Sequence, residues 1–155
     1  AALEFMEEVS ELDTLITPVG GGGLLSGTAI AAGAVSPSTA VMAAEPAGAD
    51  DAYRSLKSGR LIPSKNPETI ADGLLTSLSK LTFGIIRDKV SGIVRVSEQG
   101  IINAMRLIWE RMKLVIEPSA ALPLGALIES RGSIPGTRIG IILSGGNVDL
   151  ENLPF

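Results

Sequence analysis

The sequence predicts an α/β fold: an open, mainly parallel, twisted sheet flanked by helices. Two observations support this prediction. Short apolar segments alternate along the chain with segments of helical periodicity, as in proteins whose parallel strands are joined by helices. The chain is 45% hydrophobic but only 3% aromatic, so we expect a core of Ala, Leu, Ile and Val between strands and helices. With 155 residues, it is long enough for one domain.

The elements can be placed in order. Leu3, Phe5, Met6, Val9 and Leu12 recur at helical spacing with no capping residue before them, so we expect the chain to start inside a helix. Strands are predicted at 14–19, 40–45, 93–97 and 138–143, and helices at 24–35, 49–58, 98–113 and 119–130. Helical pieces are also predicted over 68–90, after a proline-containing loop. We assign Trp109, on the long helix, to packing.

Composition argues against several classes of function. The net charge is −4 and no basic cluster occurs, so nucleic-acid binding is not expected. No uncharged apolar run is long enough to span a bilayer, so no membrane association is expected. The lack of cysteine fits a cytoplasmic protein. The lack of histidine removes the commonest general base and the usual zinc ligand.

A run of four glycines is the first candidate binding site. Gly20, Gly21, Gly22 and Gly23 lie between the first strand and a helix that starts at Leu24. Backbone N–H groups can converge where no Cβ intervenes, and a helix N-terminus adds a partial positive charge, which suits a phosphate. The alternative is a flexible turn, which glycine also permits.

A second candidate follows the last strand. Ser144 begins the turn Ser144-Gly145-Gly146-Asn147, and ligands of open parallel sheets bind at the carboxyl ends of the strands. A serine hydroxyl can donate to a ring nitrogen or accept from it, so Ser144 is a candidate partner for a heterocycle. A tight turn with a solvated serine is the alternative.

A third candidate is the acidic segment after the second strand. Glu45, Asp50 and Asp51 lie within seven residues that also offer backbone carbonyls, a set that suits Mg²⁺, Ca²⁺ or Mn²⁺. Alternatively, the two aspartates only cap the helix that follows. Glu117, before Pro118 and Ser119, is interpreted as the start of a helix rather than as a catalytic group.

The order and spacing of these motifs resemble the C-terminal half of a fold-type II pyridoxal-phosphate enzyme, closest to the serine racemase and serine/threonine dehydratase family. The similarity covers residues 1–155, which we therefore interpret as the C-terminal portion of a cofactor-binding catalytic domain. The segments that carry it are Pro18 to Leu24, Ala44 to Asp51, Ile70 to Gly73, Glu110 to Lys113, Ile116 to Ala120 and Leu143 to Leu150.

The resemblance implies roles for individual residues. Gly20 to Gly23 and the Leu24 amide would hold the phosphate of pyridoxal 5'-phosphate, Ser144 would meet the pyridine nitrogen, and Gly73 would lie against the cofactor. Glu45, the Ala49 carbonyl and Asp51 would hold a divalent cation. Lys113 and Asn147 match positions that contact ATP in animal racemases.

The resemblance also implies that the lysine which forms the Schiff base lies in an N-terminal half outside this chain. None of the five lysines present has a context that suggests this role: Lys57, Lys65, Lys80, Lys89 and Lys113. We therefore expect this chain to be inactive alone and to need that half. The complete enzyme would be a homodimer that acts on β-hydroxy amino acids, through an external aldimine and an α-carbanion, as a dehydratase with possible racemase activity.

Two alternatives remain open at this point. The chain could be a non-catalytic fragment or binding module that pairs with another chain. It could also belong to a β-replacement enzyme of the same fold, although the acidic segment from Glu45 to Asp51 disfavours this interpretation. The sequence does not rank serine, threonine and hydroxyaspartate as substrates.

Overall fold

The computed structural model describes residues 1–130 and 132–155. The helices are α1 (Ala2–Glu8), α2 (Gly23–Val35), α3 (Asp51–Ser58), α4 (Lys80–Lys89), α5 (Glu98–Met112) and α6 (Pro118–Glu129). The strands are β1 (Thr14–Pro18), β2 (Ala40–Pro46), β3 (Gly92–Val96) and β4 (Ile139–Ile141). Two single turns of 3₁₀ helix lie at Ala47–Ala49 and Asp72–Leu74.

The four strands form one sheet in the order β3-β2-β1-β4, and every neighbouring pair is parallel. This confirms the predicted fold class. β1 is central and buried along its whole length. Because successive side chains of a strand point to opposite faces, Met42 and Ala44 contact the core beneath α5 and α6, whereas Val41 and Ala43 contact the core beneath α2 and α4.

Parallel pairing places the carboxyl ends of all four strands at one edge of the sheet. β1 lies between β2 and β4, so the loops that follow these three strands are neighbours. Pairing of β1 with β4 continues as the Ile142 N–H donates to the Ile16 carbonyl at 3.0 Å. The fold thus brings together three loops that are far apart in sequence.

The prediction of helical pieces over 68–90 is wrong for its first part. Only α4 and one 3₁₀ turn are helical there, and the rest of the segment from 59 to 79 is irregular. Its backbone bonds to distant partners instead of to itself: the Glu68 N–H donates to the Gly48 carbonyl at 3.0 Å, and the Ile70 N–H donates to Glu98 Oε2 at 2.8 Å. The Ser79 hydroxyl then caps α4 at the Thr82 N–H.

The first helix is also shorter than its apolar pattern suggests. It ends at Glu8, Val9 is extended, and Glu11 has a φ of 60°. No helix of the described residues has the length and apolar character needed to cross a membrane. Trp109 packs against the core beneath α5 and α6 and donates its indole N–H to the Ile116 carbonyl at 3.0 Å, which agrees with its predicted packing role.

Candidate functional site

The glycine run forms a closely packed corner between β1 and α2. Gly22 caps α2 with a φ of 84°, in the left-handed region, and a Cβ there would lie 2.8 Å from Leu78 Cδ2. A Cβ on Gly20 would lie 3.0 Å from Thr76 Oγ1. A side chain at Gly22 would therefore be strained and collide with Leu78, so this position requires glycine, whereas one at Gly20 would press tightly against Thr76 and Leu74. Gly20 and Gly22 are thus packed against their neighbours, unlike residues of a free turn.

A cleft of about 220 Å³ opens beside this corner. It brings together all seven residues that the sequence assigned to the cofactor: Gly20, Gly21, Gly22, Gly23, Leu24, Gly73 and Ser144. Its other lining residues are Pro18, Leu74, Glu117 and Ser119. Among the residues that the structure describes, no lysine or arginine lines the cleft. The groups of the cleft that suit an anion are backbone N–H groups and the N-terminus of α2.

Glu117 and Ser119 are cleft residues that sequence reasoning assigned only to the start of a helix. Glu117 is indeed the N-cap position of α6, but its side chain makes no capping hydrogen bond. Ser119 is 2% exposed, and its hydroxyl has no hydrogen-bond partner among the described residues. A Cβ on Gly73 would lie 3.0 Å from this hydroxyl oxygen, so Gly73 closes over Ser119. No local sequence pattern indicates this contact.

The turn after β4 is held by Glu117. The Glu117 N–H donates to the Gly145 carbonyl at 3.2 Å, and Glu117 Oε2 accepts the Asn147 N–H at 3.0 Å. A Cβ on Gly145 would lie 2.9 Å from Glu117 Oε1, and one on Gly146 would lie 2.7 Å from the Val115 carbonyl oxygen. The turn that carries Ser144 therefore lies flat against the segment that leads into α6.

A larger cleft of about 510 Å³ adjoins the first one. Its lining includes Asp72, Pro118 and Asn147. Asp72 and Pro118 are next in sequence to Gly73 and Glu117 of the smaller cleft, and Asn147 ends the turn that begins at Ser144. Of the two predicted nucleotide contacts, Asn147 therefore lies at this second cleft. Lys113 is exposed at the end of α5, with a φ of 59°, and does not line either cleft.

The acidic segment after β2 contains two buried carboxylates. Glu45 and Asp51 are each 2% exposed. Glu45 accepts the N–H groups of Ala52 and Tyr53, both at 2.7 Å, and so satisfies the first turn of α3. Asp51 Oδ2 is buried without a hydrogen-bond partner in the described part of the chain. Ala49, the third predicted ligand, is buried in the 3₁₀ turn between them.

Burial dominates the titration of both carboxylates. It raises the pKa of Glu45 to about 8, although the two backbone N–H groups favour the charged form, and nearby Asp51 and Asp50 raise this pKa further. Burial also raises the pKa of Asp51. Among residues 1–130 and 132–155, no group of three acidic, histidine or cysteine side chains forms a metal cluster. Any cation here would rely on two carboxylates and backbone oxygen.

The lysines lie away from the cleft. All five are exposed, and none lines the cleft. That the Schiff-base lysine lies outside this chain stays a prediction.

Comparison with known proteins identifies the family. Residues 1–145 match the family described as pyridoxal-phosphate dependent enzyme. Serine racemase of Dictyostelium discoideum is 54% identical, over 99% of this chain and 48% of its own length. The beta-hydroxyaspartate dehydratase of Paracoccus denitrificans is 46% identical, over 99% of this chain and 49% of its own length. The chain thus spans about half the length of the curated relatives it matches.

Solved structures agree with this result. The crystal structure of T.th. threonine deaminase superposes with a TM-score of 0.91 at 45% identity, over 96% of this chain and 56% of that one. The chain therefore belongs to the pyridoxal-phosphate dependent enzymes, in the fold-type II group that includes serine racemase and threonine deaminase.

Proposed function

We propose that this chain supplies the phosphate cradle and one wall of the active site in a pyridoxal-phosphate enzyme that acts on β-hydroxy amino acids. The observation that supports this most is the convergence of Gly20 to Gly23, Leu24, Gly73 and Ser144 on one cleft. These residues come from three separate parts of the chain, and the family independently uses this cofactor.

The residues of the cleft fit the cofactor. The loop carries no side chains, with tight packing at Gly20 and no room for a Cβ at Gly22, so backbone N–H groups are the donors that it offers to a phosphate. Gly73 provides a surface without a side chain, and beneath it the buried Ser119 hydroxyl has no partner among the described residues. Ser144 contributes a neutral hydroxyl for a ring nitrogen. This donor set matches an anionic phosphate joined to an aromatic heterocycle.

The role of each residue follows from its chemistry. When bound, the cofactor withdraws electrons from the α-carbon of an amino acid and so favours loss of the α-proton. The glycine loop would fix the phosphate end, and Ser144 would meet the ring nitrogen without supplying a charge. A hydroxyl partner makes the ring a weaker electron sink than a carboxylate partner does. The lysine that handles the α-proton would come from outside this chain.

The charge of the cleft bears on the substrate class. The relatives are named for serine, threonine and hydroxyaspartate. Glu117 is the one ionisable side chain that lines the cleft within the described residues. Its negative charge disfavours a second substrate carboxylate on this wall. We therefore place L-serine and L-threonine ahead of hydroxyaspartate. On the separate ground of the acidic segment from Glu45 to Asp51, we place dehydration with accompanying racemisation ahead of β-replacement.

The test is product analysis of the complete enzyme. Incubation with L-serine is expected to yield pyruvate and D-serine, and binding of pyridoxal phosphate is expected to appear as a cofactor absorption band. Consumption of hydroxyaspartate with neither product formed from serine would overturn the substrate assignment. Formation of cysteine from sulfide would instead favour β-replacement.

The alternative of a non-catalytic module has its own test. Alone, this chain is expected to hold a phosphate but to catalyse nothing, because its lysines are exposed and lie away from the cleft. An intact mass near 16.0 kDa for the purified protein would support a separate fragment that pairs with another chain. A mass about twice that would support one polypeptide that includes the N-terminal half.

We further propose a divalent cation at Glu45, the Ala49 carbonyl and Asp51. Two nearly inaccessible carboxylates, one with an oxygen that no described residue satisfies, fit a hard cation such as Mg²⁺, Ca²⁺ or Mn²⁺. Such a cation would neutralise charges that burial disfavours. Mg²⁺ is expected to raise Tm and a chelator to reverse the rise, because a ligand of the folded state shifts the unfolding equilibrium.

Three further expectations concern the complete protein. We propose a homodimer, a cytoplasmic location, and contacts between a nucleotide and Lys113 and Asn147. The position of Asn147 at the larger cleft supports its part in the proposed nucleotide site. Titration with ATP tests it: Lys113→Ala and Asn147→Ala are each expected to weaken ATP binding, and unchanged affinity in both variants would contradict it.

A further inference from the structure

The side chain of Glu117 points away from the helix that it precedes. As the N-cap position of α6, it could accept an N–H of its own first turn, but it makes no such bond. Its carboxylate instead accepts the Asn147 N–H from the turn after β4. The carboxylate therefore links two elements that meet at the cleft.

The turn from Ser144 to Asn147 has few other restraints. Strand pairing ends at Ile142, whose N–H donates to β1. Within the described residues, this turn makes two hydrogen bonds, both to Glu117. One comes from the Glu117 backbone N–H, and the other goes to the Glu117 carboxylate. The close approach of Gly145 to the carboxylate adds a steric restraint. Glu117 therefore fixes the turn from the side of α6.

Helix α6, which follows Glu117, is held firmly by its packing. Ala120, Ala121, Leu122 and Ala126 are fully buried, and α6 packs against α5 and the sheet. Displacement of the α6 backbone at Glu117 would disturb this packing. In contrast, β4 has three residues and lies at the edge of the sheet. The position of Ser144 thus depends on α6 as well as on its own strand.

We propose that Glu117 is a positioning residue that holds Ser144 in place for the heterocycle in the cleft. This inference rests on the proposed function, in which Ser144 meets the ring nitrogen of pyridoxal phosphate. Glu117 acts through the turn rather than on the reacting atoms. The hydrogen bond that its carboxylate accepts from the Asn147 N–H holds the turn, and with it Ser144, in position.

The experiment measures the Kd for pyridoxal phosphate and the absorption maximum of the bound cofactor in the complete enzyme. Glu117→Ala is expected to raise Kd about 3- to 10-fold, within the range for loss of one ordinary hydrogen bond, and to shift the absorption maximum. Glu117→Gln keeps a carbonyl acceptor for the Asn147 N–H, so it is expected to stay within about 2-fold of wild type.

A double-mutant cycle with Ser144→Ala tests whether Glu117 acts through Ser144. If it does, the double variant is expected to bind the cofactor no more weakly than Ser144→Ala alone. Gly145→Ala tests the same contact without changing the Glu117 residue. The added methyl group would lie against the Glu117 carboxylate and push it away from the turn. This variant decides the question if Glu117→Ala fails to fold.

Glu129→Ala is the matched control. Glu129 lies at the other end of α6 and accepts the Ser97 N–H at 2.9 Å, so it also fixes a turn, but away from the cleft. It is expected to lower Tm and leave the cofactor Kd and absorption unchanged. Wild-type affinity in Glu117→Ala and Gly145→Ala, or additive losses in the cycle, would overturn the inference. Failure of the wild-type enzyme to bind pyridoxal phosphate would overturn the proposed function instead.

Discussion

The loops after β1 and β2 lie side by side at one edge of the sheet but have opposite electrostatic character. The loop after β1 offers backbone N–H groups and the start of α2, and no charged side chain. The acidic segment from the end of β2 to the start of α3 buries the carboxylates of Glu45 and Asp51. Under the proposals above, the first loop would hold an anion and the second segment a cation. The two segments follow neighbouring strands of one parallel sheet, so their difference lies in composition and not in strand geometry.

The largest effect is expected from breaking the first loop. Gly22→Val places a β-branched residue at a φ of 84°, with its Cβ 2.8 Å from Leu78. Left-handed strain and overpacking together are expected to lower the free energy of unfolding by about 2–4 kcal/mol. Urea unfolding of the complete protein measures this, and cofactor binding should weaken in parallel.

Gly33→Ala is the control for that substitution. Gly33 lies within α2, and a Cβ there meets nothing within 4 Å among the described residues. Alanine is expected to stabilise the helix by up to about 1 kcal/mol and leave cofactor binding unchanged. A loss as large as that of Gly22→Val would show that the effect is not specific to the corner.

A somewhat smaller effect is expected from Glu45→Ala at the end of β2. The change removes the acceptor for the N–H groups of Ala52 and Tyr53 at the start of α3. In a chelator, where no cation contributes, unfolding is expected to require about 2–3 kcal/mol less. Asp50→Ala, which removes exposed ion pairs to Arg54 and Arg95, is expected to cost less than about 1 kcal/mol. Equal losses in the two variants would contradict the capping role of Glu45.

Asp51→Asn separates cation binding from helix capping. The change removes a buried charge whose Oδ2 has no partner among the described residues, so in a chelator the variant is expected to match the wild type or exceed it by about 1 kcal/mol. Mg²⁺ is expected to raise the Tm of the wild type but not that of the variant. A rise of equal size in both proteins would count against the cation site.

The smallest effect is expected at the opposite edge of the sheet, where Asp13 accepts the N–H groups of Thr137 and Arg138. These bonds lower the pKa of Asp13 below its ordinary 3.8. A lowered pKa contributes stability that is present above the unfolded-state pKa and is lost as the pH falls through the folded-state value. Asp13→Asn is therefore expected to be less stable than wild type at pH 7, with a gap that closes below about pH 4. A gap that persists at low pH would contradict this assignment.

The sequence predicted the sheet well because each strand lies in a short, mainly apolar segment. It also predicted that the glycine loop and Ser144 would meet, because loops that follow neighbouring parallel strands share one edge. The segment before α4 could not be predicted in this way. Leu74 and Leu78 mimic a helical pattern but are buried against the rest of the fold while the backbone stays irregular. Tertiary contacts decide its conformation.

The contributions of Glu117 and Ser119 were missed for a related reason. Each lies in a segment whose local pattern only predicts the start of a helix, and that prediction is right. Their position at the cleft depends on contacts with Gly73 and with the turn after β4, and no spacing along the chain encodes such contacts. For the acidic segment, the sequence offered capping of α3 by Asp50 and Asp51 as the alternative to a cation. Asp50 does occupy the N-cap position, but its side chain makes no capping hydrogen bond. Glu45, seven residues before Ala52, satisfies the first turn instead.

The short edge strand β4 has a consequence for how the protein folds. β4 pairs with β1, although the two strands come from opposite ends of the chain. Closing so long a loop is entropically costly and slow relative to local contacts. The glycine loop can form early with β1 and α2, but Ser144 joins it only when β4 has docked. Cofactor capture is therefore expected to follow the docking of β4, and the rate at which the cofactor band appears on refolding would time that step.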